Sequence, residues 1–252
     1  MKNTDRGIFI PWGEIKFSSN LFEQKFEENK ILRLEKREKE VRSYFGAEEV
    51  REYTSRFILD REHHLYLNPS LPDLPVVIKP PVELSILPGC SLKTYVEIPL
   101  VLELAYGSIK KKQVLQEYPV KSLSRSWFGD PDSGEIAYYL ESPMEFDNKT
   151  INPDSCCIQC PVTITNKSSQ LLSLERMILR VPYLTLYKGK NSLYSNRTRI
   201  TYRGQDQVSQ IVIQKNPPEV NEELKILSLP RQAIDSGLLR KSFYFIKTLY
   251  EG

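Results

Sequence analysis

Residues 92–104 contain the feature that most restricts the fold, because their side chains change character at every second position. The even positions are mostly apolar, and they hold Leu92, Thr94, Val96, Ile98, Leu100, Leu102 and Leu104. Successive side chains of a β-strand point to opposite faces, so this period of two predicts a strand with one buried face. Pro99 cannot donate a backbone hydrogen bond to a sheet, which predicts an edge position or a bulge there.

The same period returns further along the chain. After Gly107 the pattern resumes at Val114, which predicts a hairpin. Further strands are predicted at residues 197–202 and 208–213. A second alternating run has an apolar face formed by Ile158, Cys160, Val162 and Ile164. We therefore predict a mainly β fold, an antiparallel β-sandwich that forms either one unit or two packed β modules.

Prolines and charges divide the chain. Six prolines between residues 69 and 88 exclude a helix interior there and favour a boundary near Pro88. We predict an N-terminal β-rich module at 1–88, an antiparallel β-sandwich module at 89–230 and a C-terminal amphipathic helix at 231–252. Residues 21–53 carry many charges of both signs and fit either a charged helix or a pair of charged-edge strands; strands are favoured.

The C-terminal helix is predicted from the spacing of its apolar residues, which are Leu239, Phe243, Ile246 and Tyr250. Residues three or four positions apart share one face of a helix, so these four side chains form an apolar stripe. The stripe is expected to pack on the sheet of the same chain. Docking onto a partner is the alternative.

The composition is typical of soluble globular proteins. Of the 252 residues, 40% are hydrophobic and 27% are charged, and the net charge is +3. No apolar run approaches the ~18 residues of a membrane-spanning helix. Residues 1–20 lack the apolar core of a secretory signal, which predicts a cytoplasmic location. Four cysteines in such a chain do not indicate a disulfide framework, so no disulfides are expected.

The motifs on which most enzymes depend are missing from the sequence, including nucleotide-binding glycine loops and a G-x-S-x-G elbow. His63 and His64 are adjacent and would point to opposite faces of a strand, which does not suit a shared metal. Cys157 and Cys160 have C-x-x-C spacing, but the sequence offers no second cysteine pair. No catalytic residue, no metal and no cofactor is therefore predicted, and enzyme activity is disfavoured.

The most uneven distribution of charge lies between residues 176 and 205. This segment has no acidic residue and seven basic ones, which are Arg176, Arg180, Lys188, Lys190, Arg197, Arg199 and Arg203. On a strand, Arg197, Arg199 and Arg203 share one face, and such a face can bind phosphate groups or single-stranded nucleic acid. The candidate anion-binding residues are Arg197, Arg199, Arg203, Lys188 and Lys190.

Two further features of this segment bear on the hypothesis. Four tyrosines suitable for base stacking are interleaved with the basic residues, and they are Tyr183, Tyr187, Tyr194 and Tyr202. Tyr202, however, faces away from the three arginines on a strand. Acidic residues from neighbouring strands would turn the arginine face into an ordinary solvated surface. The sequence leaves both alternatives open.

One motif resembles a known family. It consists of Trp127-Phe128-Gly129-Asp130, then Ser133-Gly134-Glu135 and Tyr138. This pattern resembles a core motif of the uncharacterised, mainly archaeal family called domain of unknown function 432. The resemblance implies one full-length β-rich unit in a prokaryotic cytoplasm. It implies no activity and no functional residues.

The sequence favours a non-catalytic β-sandwich module that binds a macromolecular partner of unknown identity. The alternative is a binder of phosphate ligands or single-stranded nucleic acid, a polyanion that would contact the Arg176–Arg203 surface. A hydrolase that uses a pair of carboxylates is a distant third. Such a pair acts only when the two groups are close in space, and a single sequence does not show which carboxylates are close.

Overall fold

The computed structural model describes residues 13–14, 22–26, 31–44, 47–58, 64–108, 111–129, 131–132, 134–146, 157–190, 192–204 and 209–233. The strands are β1 (Gly13–Glu14), β2 (Phe22–Phe26), β3 (Ile31–Tyr44), β4 (Ala47–Ile58), β5 (His64–Ser70), β6 (Val76–Lys79), β7 (Leu84–Ile86), β8 (Ser91–Pro99), β9 (Val101–Ser108), β10 (Lys111–Pro119), β11 (Ser124–Phe128), β12 (Glu135–Glu141), β13 (Met144–Glu145), β14 (Cys157–Asn166), β15 (Leu172–Leu174), β16 (Met177–Leu179), β17 (Leu186–Lys188), β18 (Leu193–Ser195), β19 (Thr198–Tyr202), β20 (Gln210–Ile213) and β21 (Lys225–Ser228). The mainly β fold predicted from the sequence is confirmed.

Helical structure in the described ranges amounts to one 3-10 turn, Val181–Tyr183. A helix with the length and apolar character needed to cross a membrane is not found among the described residues. The C-terminal helix predicted from the spacing of residues 239–250 lies outside the described residues.

The chain forms two compact units, and neither is a continuous stretch. One unit comprises Met1–Asn68 and Leu102–Tyr118, and the other comprises Pro69–Val101 and Pro119–Gly252. Pro88 therefore lies inside the second unit. The three modules predicted at 1–88, 89–230 and 231–252 stay a prediction.

The first unit contains two sheets. One is antiparallel with the order β2-β3-β4, so the strand alternative for residues 21–53 is confirmed. The register of β3 and β4 places Ile31 opposite Ile58 and Tyr44 opposite Ala47. The other sheet has the order β1-β5-β9-β10 and includes the hairpin of β9 and β10 that was predicted after Gly107.

The second unit contains a sheet built around β14, which has partner strands on both sides. On one side β14 runs antiparallel to β8, with Cys157 opposite Pro99 and Thr165 opposite Ser91. On the other side it runs parallel to β18 and then to β19, and β20 pairs antiparallel with β19. This sheet is therefore mixed rather than purely antiparallel as predicted. Alternation along one strand carries no information about the direction of its neighbours.

The alternating stretch at residues 92–104 forms most of β8 and the beginning of β9. Four of its apolar positions are at most 1% exposed, and they are Val96, Ile98, Leu100 and Leu102. β8 ends at Pro99 and β9 begins at Val101, so the strand is interrupted directly after this proline, and the predicted edge position or bulge at Pro99 stays a prediction. The chain also passes from the second unit to the first at this break.

A second proline shapes the other side of β14. Pro161 lies within the strand and has no N–H to donate to a neighbour. At the same level the parallel partner is interrupted, because Gln159 is opposite Tyr194 on β18 whereas Val162 is opposite Thr198 on β19. One extra residue thus lies between β18 and β19, as in a β-bulge.

The buried Asn196 side chain holds this interruption in place. Its Oδ1 accepts a hydrogen bond from the backbone N–H of Thr185 at 2.8 Å, and its Nδ2 donates to the carbonyl oxygen of Gln214 at 2.9 Å. A buried amide with both ends satisfied fixes the local backbone. Asn196 therefore anchors the backbone two residues before β19 begins at Thr198.

Candidate anion-binding surface

Side chains alternate between two faces along β19 and just beyond its ends. Ile200 and Tyr202 are 2% and 4% exposed, whereas Arg199 and Arg203 are exposed and Arg197 is half-buried. This pattern follows from the alternation of a strand that has one face on the core. The structure thus brings the three arginines together on the outer face of the sheet.

Two lysines from other parts of the chain lie on the same outer face. Lys93 on β8 is opposite Thr163 on β14, and Thr163 is in turn opposite Arg199. Lys167 directly follows β14 and donates its backbone N–H to the carbonyl oxygen of Tyr202 at 2.8 Å. Both lysines are exposed. We call the surface formed by Lys93, Lys167, Arg197, Arg199 and Arg203 the β19 face.

Hydroxyl groups lie between these cations. Ser91 Oγ and Thr165 Oγ1 are 2.8 Å apart across β8 and β14, which shows that their side chains share one face. Thr163 and Thr201 are half-buried at neighbouring outward positions. Hydroxyls donate hydrogen bonds without adding charge, so the surroundings of the cations suit an anion.

No acidic side chain balances the β19 face within the described ranges. Arg199 lies opposite Thr163 on one side and Val212 on the other, and the backbone of Arg197 pairs with Gln214. None of the five cations forms an ion pair with another described residue. The alternative in which neighbouring strands supply compensating acids is therefore not seen among the residues described.

The carboxylates of Glu97 and Glu145 lie towards the other end of β8. Burial raises the pKa of Glu97 above its ordinary value of 4.5, and the negative charge of Glu145 raises that pKa further. Glu97 is four residues from Lys93, which is about 13 Å along an extended strand. Glu145 is opposite Tyr95, two residues from Lys93, so the acidic pair borders the β19 face at Lys93, on the side away from the three arginines.

The other predicted anion-binding residues lie elsewhere. Lys188 ends β17 and Lys190 belongs to the turn between β17 and β18, and both side chains are exposed. The Glu222 carboxylate lies against this turn, where it accepts hydrogen bonds from the Lys190 backbone N–H and from the Tyr194 hydroxyl. Lys188 is opposite Leu193, and Leu193 is itself five residues before the start of β19. The structure therefore does not bring Lys188 and Lys190 to the β19 face.

The interleaved tyrosines do not form a stacking platform. Tyr187 and Tyr194 are 4% and 3% exposed, Tyr202 is also buried, and Tyr183 is half-buried. Tyr95 on β8 is half-buried at an outward position opposite Pro161. Because base stacking requires exposed aromatic rings, contacts with phosphate groups are what the β19 face can offer.

Burial limits the chemistry of one of the thiols. No disulfide joins Cys90, Cys157 and Cys160, and burial raises the pKa of Cys160 to about 12. A buried thiol with such a pKa stays protonated and is a poor ligand and nucleophile. Within the described residues, no group of three or more histidine, cysteine, aspartate or glutamate side chains is arranged to hold a metal ion.

A profile of the family described as "Protein of unknown function (DUF432)" matches residues 11–247. The chain belongs to this family. No curated protein and no solved structure matches the chain. The resemblance inferred from the motif around Trp127 is thereby confirmed, although membership in DUF432 assigns no activity.

The motif that led to DUF432 has a structural role in the β11–β12 hairpin. Gly129 has φ 109°, a conformation that side chains with a Cβ rarely adopt. The indole of Trp127 packs so closely over Gly134 that a Cβ there would overlap the ring. The next residue, Glu135, forms an ion pair with Arg180. The motif thus fixes a turn and neutralises one cation of the basic segment.

Proposed function

We propose that this DUF432 protein is a non-catalytic binding module of a prokaryotic cytoplasm, with a β-sandwich architecture, and that it binds single-stranded nucleic acid through phosphate contacts at the β19 face. The observation that carries the proposal is the group of five cations on one sheet face, none of which is ion-paired with a described residue. When unpaired cations on an exposed surface bind the phosphates of a nucleic acid, the counterions that were condensed on those phosphates are released. The release of these counterions drives association.

The layout of the cations favours a flexible chain of phosphates over a single small anion. Arg197 and Arg199 are two residues apart, about 6.6 Å along the strand, and Arg203 lies about 13 Å beyond Arg199. Small ligands are normally held in concave sites that bury most of their surface. An open sheet face instead suits a strand that lies across it and touches several cations at once.

The buried tyrosines further define the expected ligand. With Tyr187, Tyr194 and Tyr202 in the core, the bases have few aromatic partners. Contacts with phosphate and sugar fix position without reading sequence. We therefore expect similar affinity for oligonucleotides of different base composition.

The test is fluorescence anisotropy with a labelled oligothymidylate of about 20 nucleotides at roughly 0.05 M and 0.2 M salt. The variant is Arg199→Glu/Arg203→Glu, and the matched control is Lys188→Glu/Lys190→Glu, which makes the same change in net charge away from the β19 face. The arginine pair is expected to weaken binding at least tenfold and the lysine pair by less than about threefold.

Two results would overturn the proposal. One is a lack of binding at the lower salt concentration, and the other is an equal loss of affinity in both charge-reversed variants. A competition experiment with inorganic polyphosphate tests whether the surface prefers a nucleic acid or binds any chain of phosphates. If polyphosphate binds as tightly as the oligonucleotide at equal phosphate concentration, the nucleic-acid assignment is wrong.

A further inference from the structure

A cleft lies elsewhere in the same unit, between a pair of strands from one sheet and the two strands of another. β6 pairs with β16, with Ile78 opposite Met177, and β7 pairs with β15, with Leu84 opposite Leu174. Between these pairs one chain has five residues, 79–83, and the other has only two, Glu175 and Arg176. The longer segment contains Pro80 and Pro81, which lack the N–H needed to continue the ladder.

A cleft of about 460 Å³ lies at this mismatch. It is lined by Lys79, Pro80, Pro81, Glu83, Tyr139, Leu174, Glu175 and Arg176. Its volume falls in the range of about 300–1,000 Å³ that is typical of small-molecule sites. The lining combines charged groups with proline, leucine and tyrosine surfaces.

The charges in the cleft are grouped by sign. Lys79 and Arg176 each lie one residue beyond the Ile78–Met177 pair, so the two cations are at facing positions. Glu83 and Glu175 likewise lie one residue beyond the Leu84–Leu174 pair, at facing positions. Like charges directly opposite each other on paired strands are destabilising. The cleft thus has a cationic end and an anionic end.

The two ends do not neutralise each other. Neither Lys79 nor Arg176 forms an ion pair with a described residue, so their charges remain available. Glu83 accepts a hydrogen bond from Ser173 Oγ, which orients its carboxylate. A ligand with one charge of each sign would contact the two cations and Glu83 at once.

We propose that this cleft binds a small zwitterion of dipeptide size. Its carboxylate contacts Lys79 and Arg176, its ammonium group contacts Glu83, and its apolar part packs on Leu174 and the two prolines. The cations lie more than 4.0 Å from the carboxylates, because no ion pair joins them. The cleft volume of about 460 Å³ exceeds what a single amino acid would fill, which favours a dipeptide.

The experiment is isothermal titration calorimetry of the full chain with Ala-Leu, N-acetyl-Ala-Leu and Ala-Leu-amide. Ala-Leu is expected to bind with a Kd at or below about 1 mM, and loss of either terminal charge is expected to weaken binding at least tenfold. In the protein, Arg176→Met is expected to weaken binding of Ala-Leu and to abolish the discrimination against Ala-Leu-amide. Glu83→Gln is expected to abolish the discrimination against N-acetyl-Ala-Leu.

The blocked peptides keep the test decisive even if a variant does not fold, because they are measured on the unaltered protein. No heat of binding up to about 10 mM Ala-Leu, which is tenfold above the expected Kd, would overturn the proposal. Equal binding of the blocked and unblocked peptides would also overturn it. Control titrations of Lys188→Met, which lies outside the cleft, are expected to match those of the unaltered protein.

Discussion

Arg180 and Arg199 come from the same acid-free segment of sequence, yet their environments are opposite. Arg180 is 8% exposed and donates hydrogen bonds from Nη1 and Nη2 to the two carboxylate oxygens of Glu135, at 3.2 and 2.7 Å. Arg199 is exposed and has no ion pair with a described residue. A run of positive charge in a sequence therefore does not define a positive surface. The strands that fold against each residue decide whether its charge is compensated.

The same contrast between a buried and an exposed side chain applies to the adjacent residues Arg199 and Ile200 on β19. The largest change in the free energy of unfolding is expected at the buried one. Ile200→Ala removes a side chain that is 2% exposed and should lower the free energy of unfolding by about 2–5 kcal/mol. Arg199→Ala changes an exposed position and should stay within about 0.5 kcal/mol of the unaltered protein. Urea unfolding followed by circular dichroism measures both. Similar losses for the two variants would show that β19 does not separate a core face from an outer face.

The Arg180–Glu135 pair should give the next largest effect. Glu135→Gln removes the negative charge that accepts two hydrogen bonds from the buried guanidinium, and it should cost about 1.5–3 kcal/mol in the free energy of unfolding. The matched control is Glu141→Gln, an exposed position at the end of the same strand. Its change should stay within about 0.5 kcal/mol. Equal effects at Glu135 and Glu141 would mean that the ion pair contributes no more than an exposed surface charge.

The smallest effect concerns Glu97, the acid on the same sheet face as Lys93. Burial and the charge of Glu145 raise the pKa of Glu97 in the folded state, so the folded state binds a proton more readily than the unfolded state. The stabilisation from this group is complete below the unfolded pKa and is lost as the pH rises through the folded pKa. Glu97→Gln should therefore reduce the fall in Tm between about pH 4 and pH 7. A steeper fall in the variant would contradict the assigned direction.

The sequence predicted those features of the site that depend on local pattern. Alternation placed Ile200 and Tyr202 opposite the three arginines, and the structure shows the same division. Lys93 and Lys167 were missed because they join the surface through β8 and β14, and strand order is not visible in one sequence. An indication was present at Lys93, which occupies a polar position of the alternating stretch.

For the fold as well, the sequence predicted the features that depend on local pattern and missed those that depend on distant segments. Proline positions indicated the break at Pro99, but the parallel pairing of β14 with β19 depends on long connections that periodicity does not reveal. The cleft at Arg176 was also invisible, because it arises from a mismatch in length between two distant segments. Lys188 and Lys190 were assigned to the anion site on charge alone. The structure places them at a hairpin turn instead.

The most direct test of the account is the salt dependence of oligothymidylate binding to the unaltered protein and to Arg199→Gln. If the β19 face contacts phosphates, log K should fall linearly with log salt concentration, and each lost phosphate contact should reduce the slope by about 0.7. Arg199→Gln should show that reduction, whereas Lys188→Gln should leave the slope unchanged. A slope near zero for the unaltered protein, or equal slopes for the unaltered protein and Arg199→Gln, would contradict the claim that these uncompensated cations form a phosphate-binding surface.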